Sequence, residues 1–185
     1  MRVEIIEEVG SEKPALVFPP DENYVDLREN PEAAGRVAAV REFPPLRNFL
    51  AAVNGADSIF TTASVQTKSD LPAAVSAGIA HEFALQAMLV FGEPSLNFER
   101  GRYLELTSGL KELLERDSAD VVRAVLRISF CDFPGQNRSG YCLGVRLVAE
   151  GDSAQQAELR CGLALARLQQ ALLFRARSLK QQMSA

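Results

Sequence analysis

A chain of 185 residues, 47% hydrophobic and 24% charged, is long enough for one domain with a full hydrophobic core and has the composition of an ordinary globular protein. Its net charge of −4 and pI of about 5.2 exclude the concentrated basic footprint of a dedicated nucleic-acid binder. No apolar run approaches the roughly 20 residues needed to cross a bilayer, so neither nucleic acid nor membrane is an expected partner.

Three cysteines without a CxxC fit a reducing compartment better than a disulfide scaffold. The acidic, alternating start Met1-Arg2-Val3-Glu4-Ile5-Ile6-Glu7-Glu8 does not read as a secretory signal, and a cytoplasmic location is expected. Charge is uneven along the chain. Residues 1–57 carry 6 basic and 11 acidic groups, residues 58–118 carry 5 and 8, and residues 119–185 carry 9 and 5. The acidic first third is expected to balance the basic last third.

Residues 1–55 form an N-terminal extension of the same domain. Val3 to Val9 alternates and predicts a strand, and Ala15 to Phe18 predicts a second, short one before Pro19-Pro20. Residues 19–35, rich in Pro, Asp, Glu and Asn, predict a long surface loop or arm. Arg36 to Phe43 fits a strand or a helical turn. Pro44-Pro45 opens a short helix from Leu46 to Val53, because proline is tolerated where the first N–H has no intrahelical partner, and Asn54-Gly55 stops it.

The remainder reads as two copies of one pattern, residues 56–118 and 119–185. Ala56-Asp57, Asp70-Leu71-Pro72 and Gly78 recur as Ala119-Asp120, Asp132-Phe133-Pro134 and Gly140. The second hairpin can be written residue by residue. Setting Phe130 opposite Leu143 and Ile128 opposite Val145 puts Leu126, Ala124, Leu147 and Ala149 on the same apolar face. The other face then pairs Cys131 with Cys142, Ser129 with Gly144, Arg127 with Arg146, Val125 with Val148 and Arg123 with Glu150. A one-residue slip would mix the faces, so the pattern favours this phase. Matching the first hairpin to it puts Ile59, Ala63, Val65, Phe83, Leu85, Ala87 and Leu89 inside. Phe60, Thr62, Ser64, Gln66, Lys68, Glu82, Ala84, Gln86 and Met88 then face out.

Each hairpin leads into a helix. Residues 97–116 place Tyr103, Leu106, Leu110, Leu113 and Leu114 at helical spacing. Residues 153–181 follow Asp152-Ser153, a good N-cap pair, and carry two apolar stripes. One is Cys161, Leu165, Leu168 and Leu172; the other is Leu159, Leu163 and Phe174. Two stripes need two neighbours, and about 43 Å of helix would overhang a strand of about 33 Å. Arg175, Arg177 and Lys180 suit the negative pole of this helix. The expected fold is α+β: a tandem ββα–ββα repeat forming a four-stranded antiparallel sheet, with two helices on one face and the other face open.

The open face carries the candidate site. Arg127 opposite Arg146 is a like-charge pair that calls for an acid or an anion. Arg123 and Glu82 lie near, and Ser64 and Gln66, with Gln86 and Ser129, add hydrogen-bonding groups. This set would hold a small anion or a carboxylate through guanidinium forks. His81 is the only histidine; it falls on the core face and cannot alone build a metal centre or a triad. Cys131 and Cys142 read as half-buried thiols rather than a disulfide, and Cys161 as packing. Asp70 and Asp132 read as turn residues. Phosphate-loop, dinucleotide, zincin and hydrolase motifs are absent, so no cofactor is implied.

The order short helix, hairpin, helix, hairpin, long helix resembles that of the small acidic chaperones of bacterial secretion. That resemblance implies a dimer that binds extended protein segments. The ββα–ββα order is also similar to that of pterin dehydratases, which use several active-site histidines where this chain has one. Two functions follow as expectations. The first is a non-catalytic, homodimeric interaction protein with a protein partner on the open face or the long helix. The second is a binder of a small anionic ligand, or an enzyme acting on one, at Arg127 and Arg146.

Overall fold

Val3 and Ile5 alternate with charged residues, and the strand they form, Arg2–Glu7 (β1), has one apolar side. The computed structural model describes residues 1–8, 15–16, 27, 30–71, 81–116 and 121–183. Five further strand segments follow: Ala15–Leu16 (β2), Phe60–Leu71 (β3), His81–Phe91 (β4), Val122–Phe133 (β5) and Arg138–Gly151 (β6). The helices are Ala38–Glu42 (α1), Leu46–Val53 (α2), Arg100–Glu115 (α3) and Ala154–Met183 (α4), with short 3-10 turns at Pro31–Arg36, Pro94–Phe98 and Pro134–Gln136. The expected loop over residues 19–26 and 28–29, Val17-Phe18, the turn from Pro72 to Gly78, the side chain of Asp70 and Ala119-Asp120 lie outside the described residues.

The sheet order is β1-β5-β6-β4-β3, with β2 continuing the outer edge of β5 beyond β1. This corrects the expected four-stranded antiparallel sheet. The sheet is five strands wide and mixed, because β1 runs parallel to β5 with Arg2 opposite Arg123 and Glu7 opposite Ile128. Four α-helices, not two, are found among the described residues. Both hairpins and their following helices are present. Alternation in residues 3–9 marks a strand but not its neighbour, and β1 hydrogen-bonds the edge that β5 would otherwise expose.

The helices cover one face of the sheet. Phe83, Leu85, Ala87 and Leu89 of β4 and Leu143, Val145, Leu147 and Ala149 of β6 are buried beneath Leu106 and Leu110 of α3 and Cys161, Leu165, Leu168 and Leu172 of α4. α4 does not overhang, since Ala176 and Leu179 stay buried near its end and Lys180 Nζ donates to the carbonyl of Ala56 at 3.1 Å. Its start is tied down by two side-chain bonds. Ser153 Oγ accepts from Gln156 N at 3.2 Å, and Gln156 Oε1 accepts from Asp152 N at 2.7 Å. Arg175 reaches sideways to Glu105 of α3 at 3.3 Å, across Gly109, where a side chain would meet the guanidinium.

Two details of the hairpins differ from expectation. In the second hairpin Phe130 faces Tyr141 and Ile128 faces Leu143, two residues away from the expected register. A two-residue slip keeps every side chain on its face, so the apolar face is as anticipated while each partner changes. The turn decides it: Pro134 to Asn137 close a tight loop, and Asn137 takes the left-handed conformation with φ 47°. In the first hairpin a bulge between Thr62 and Ser64 flips the strand. Phe60 is therefore buried against Phe91, Thr62 turns toward α2, and Ala63 packs on the opposite face, whereas Val65 lies inside as expected.

Candidate interaction surfaces

The open face is a grid set by strand register. One row across it runs Arg2, Arg123, Val148, Ala84, Lys68; the next Glu4, Val125, Arg146, Gln86, Gln66; the third Ile6, Arg127, Gly144, Met88, Ser64. Arg127 and Arg146 are thus not opposite each other. Arg127 faces Gly144, and Arg146 lies between Val125 and Gln86. The slip of two residues removes the like-charge pair on which the anion site was argued. Arg127 also has an acid: its Nη1 is 2.7 Å from Glu8 Oε1, and Ser129 Oγ donates to Glu8 Oε2 at 2.9 Å. Glu8 is the residue that sequence reasoning missed. Its parity in the N-terminal strand places it on this face, but nothing local announces β5 as its neighbour.

Glu82 faces Glu150 at the far end of the grid, one row beyond Arg123 and Lys68. Those cations therefore sit diagonally from the two carboxylates, at the roughly 7–8 Å spacing of diagonal neighbours. Ser64 and Gln66 lie exposed on the edge strand β3, separated from Arg127 by Met88 and Gly144 and from Arg146 by Gln86. The six expected site residues share a face without converging on a point. Arg146 is exposed on this face, as are Arg2, Arg123 and Lys68.

The end of this face near the β5–β6 turn is closed and apolar. Val90, Cys131, Phe133 and Cys142 are buried, with Ala63, Met88 and Phe98 packed against them. The Arg138 guanidinium covers Phe98 at 3.8 Å from its centroid. Gly140 is required here, since a Cβ would come within 2.6 Å of the Asn97 carbonyl oxygen. Cys131 faces Gly140 and Cys142 faces Ser129, so the two thiols are diagonal rather than opposite, and both are free. The hydrogen bond to Cys142, and then burial, push the Cys131 thiol far up, which keeps it protonated and poorly nucleophilic. Burial, with Glu158 nearby, pushes the Cys161 thiol up to about 12.

The outer side of α4 is the other candidate. Its inner stripe packs into the core as expected, but Leu159, Leu163 and Phe174 remain 64%, 61% and 56% exposed. At 3.6 residues per turn these three fall within about 60° of one another around the helix, with Ala166 and Gln170 between them. Beside Leu159 and Leu163 runs a groove of about 650 Å³, lined by Phe43 and Pro45 as well as Gly162, Ser153, Gln156 and Glu158. The Pro44-Pro45 turn and the capped start of α4 shape its walls. Phe43 ends α1 and packs its ring on Phe83 at 4.8 Å, so the apolar floor belongs to the core.

Among the described residues no cluster of His, Cys, Asp and Glu has the grouping a metal ion needs, and no helix is long and apolar enough to cross a membrane. His81 sits at the start of β4 opposite Gly151, half-buried. Compared with known proteins, the chain matches no family model, no curated protein and no solved structure, so its resemblance to secretion chaperones rests on element order and acidity.

Proposed function

We propose that the chain is a cytoplasmic, non-catalytic interaction protein that works as a homodimer, with the outer side of α4 as its contact. The observation that carries this is the apolar stripe of Leu159, Leu163 and Phe174, more than half exposed on a helix whose opposite side is core. Large apolar side chains aligned beside an apolar groove mark a contact surface better than scattered ones do. Supporting the non-catalytic part, the buried Cys131 and Cys161 thiols are pushed up and held protonated, and Glu8 already engages Arg127 and Ser129. Three free, buried cysteines fit a reducing compartment. Sedimentation velocity and native mass spectrometry test the reading. A species of twice the 20.2 kDa chain is expected, and a monomer at every concentration would overturn it.

Arg146 favours a second reading, a carboxylate ligand on the open face. It is exposed beside Gln86 and Gln66, and Arg123 lies one row away. A small mass retained in native spectra of the wild type and lost from the R123A/R146A double variant would support this reading.

A further inference from the structure

Phe174 and the groove lie on the same side of α4 but far apart along it. From the midpoint of Leu159 and Leu163 to Phe174 is about 20 Å of helix. One end of the stripe thus offers a recess, and the other a ring that is more than half exposed. We propose that a second copy of the chain packs antiparallel along α4, so that Phe174 of each copy enters the groove formed by Phe43, Pro45, Leu159 and Leu163 of the other. This rests on the homodimer reading and gives it a geometry. A twofold axis satisfies both ends at once, because in an isologous contact whatever meets at one end meets again at the other.

The charges agree with that register. With Phe174 level with the midpoint of Leu159 and Leu163, the axis crosses between Arg167 and Leu168, and exposed Arg177 of one copy comes level with Glu158 at the mouth of the other's groove. Arg177 of one helix is thus brought to the level of Glu158 of the other, twice. Ala166, near the axis, is small enough for the helices to approach to the usual 8–10 Å or so. Arg167, exposed, lies at the rim of the stripe, about 80° around the helix from Leu159.

Sedimentation equilibrium of the full chain tests this with four variants. F174D removes the ring from a position that is exposed in the single chain, and circular dichroism should show the fold unchanged. Its dimer dissociation constant is expected to rise about 30-fold or more, as for an anchor residue. E158R and R177E, each placing like charges face to face, are expected to weaken the dimer, and E158R/R177E together to restore it. A double swap no stronger than the single ones overturns the antiparallel pairing and leaves the homodimer reading standing; a dimer untouched by F174D overturns the pairing and moves the dimer contact away from this end of α4. A wild-type chain that stays monomeric overturns both. A monomer destabilised by F174D also overturns both, and would mean that the chain itself covers the stripe.

Discussion

Asn97 holds together three parts of the structure. Its Oδ1 accepts from the Phe91 amide at 2.8 Å and from the Tyr103 hydroxyl at 2.6 Å, while its Nδ2 donates to the Phe91 carbonyl at 2.9 Å. All of these groups are buried, so the N97A variant leaves a backbone pair and a hydroxyl without partners. It should lose about 2–4 kcal/mol in urea unfolding, whereas Y103F, which leaves Asn97 bonded to Phe91, should lose about 1 kcal/mol. The thiols give a pH dependence. The folded Cys161 thiol ionises near 12 against an ordinary 9.0, so the unfolded chain releases that proton first. Its contribution to stability is complete below about pH 9 and is lost as pH rises toward 12, about 1 kcal/mol of it by pH 10. Burial of Tyr103, and burial with the Cys142 bond at Cys131, shift those groups in the same direction. Urea midpoints measured from pH 7 to 10 should fall, and the C161A variant should fall less steeply.

Elements are joined by contacts that the sequence pattern does not display. Asn54 caps α2 and ties it to β3, donating to the Leu50 carbonyl at 2.8 Å and to Thr62 Oγ1 at 3.0 Å, and accepting from the Thr62 amide at 2.9 Å. N54A should cost about 2 kcal/mol and speed hydrogen exchange at the Thr62 amide. The helix Leu46–Val53 and its stop at Asn54 were legible because proline, apolar spacing and Asn-Gly all act locally. The faces of β4, β5 and β6 were legible because a strand has a period of two. Register was not, because sliding by two residues leaves that period intact; the turn at Asn137 selects the pairing and separates Arg127 from Arg146. The bulge at Ala63 hid the inward turn of Phe60 for a related reason, since one extra residue reverses the parity before it. Deleting residues 1–8 should bare the edge of β5 from Arg123 to Ile128 and bring aggregates into light scattering.

At the scale of the whole molecule, helices cover one side of the sheet and the other side is a charged grid with an apolar end. The outward stripe of α4 was visible in the sequence, since Leu159, Leu163 and Phe174 share a helical face. Its groove was not, because Phe43 and Pro45 come from more than a hundred residues earlier. A dimer formed there ties stability to mass action, so the melting temperature of the wild type should fall on dilution while that of F174D should not. The order of assembly is set elsewhere. β1 is made well before its partner β5, which emerges only after everything between Glu7 and Arg123, roughly 6–23 s later at a ribosomal rate of about 5–20 residues per second. Throughout that interval Val3 and Ile5 have no sheet to join. The apolar side of β1 therefore stays sticky until β5 has been made, and in the cell its guardianship falls to whatever meets nascent polypeptides at the ribosome.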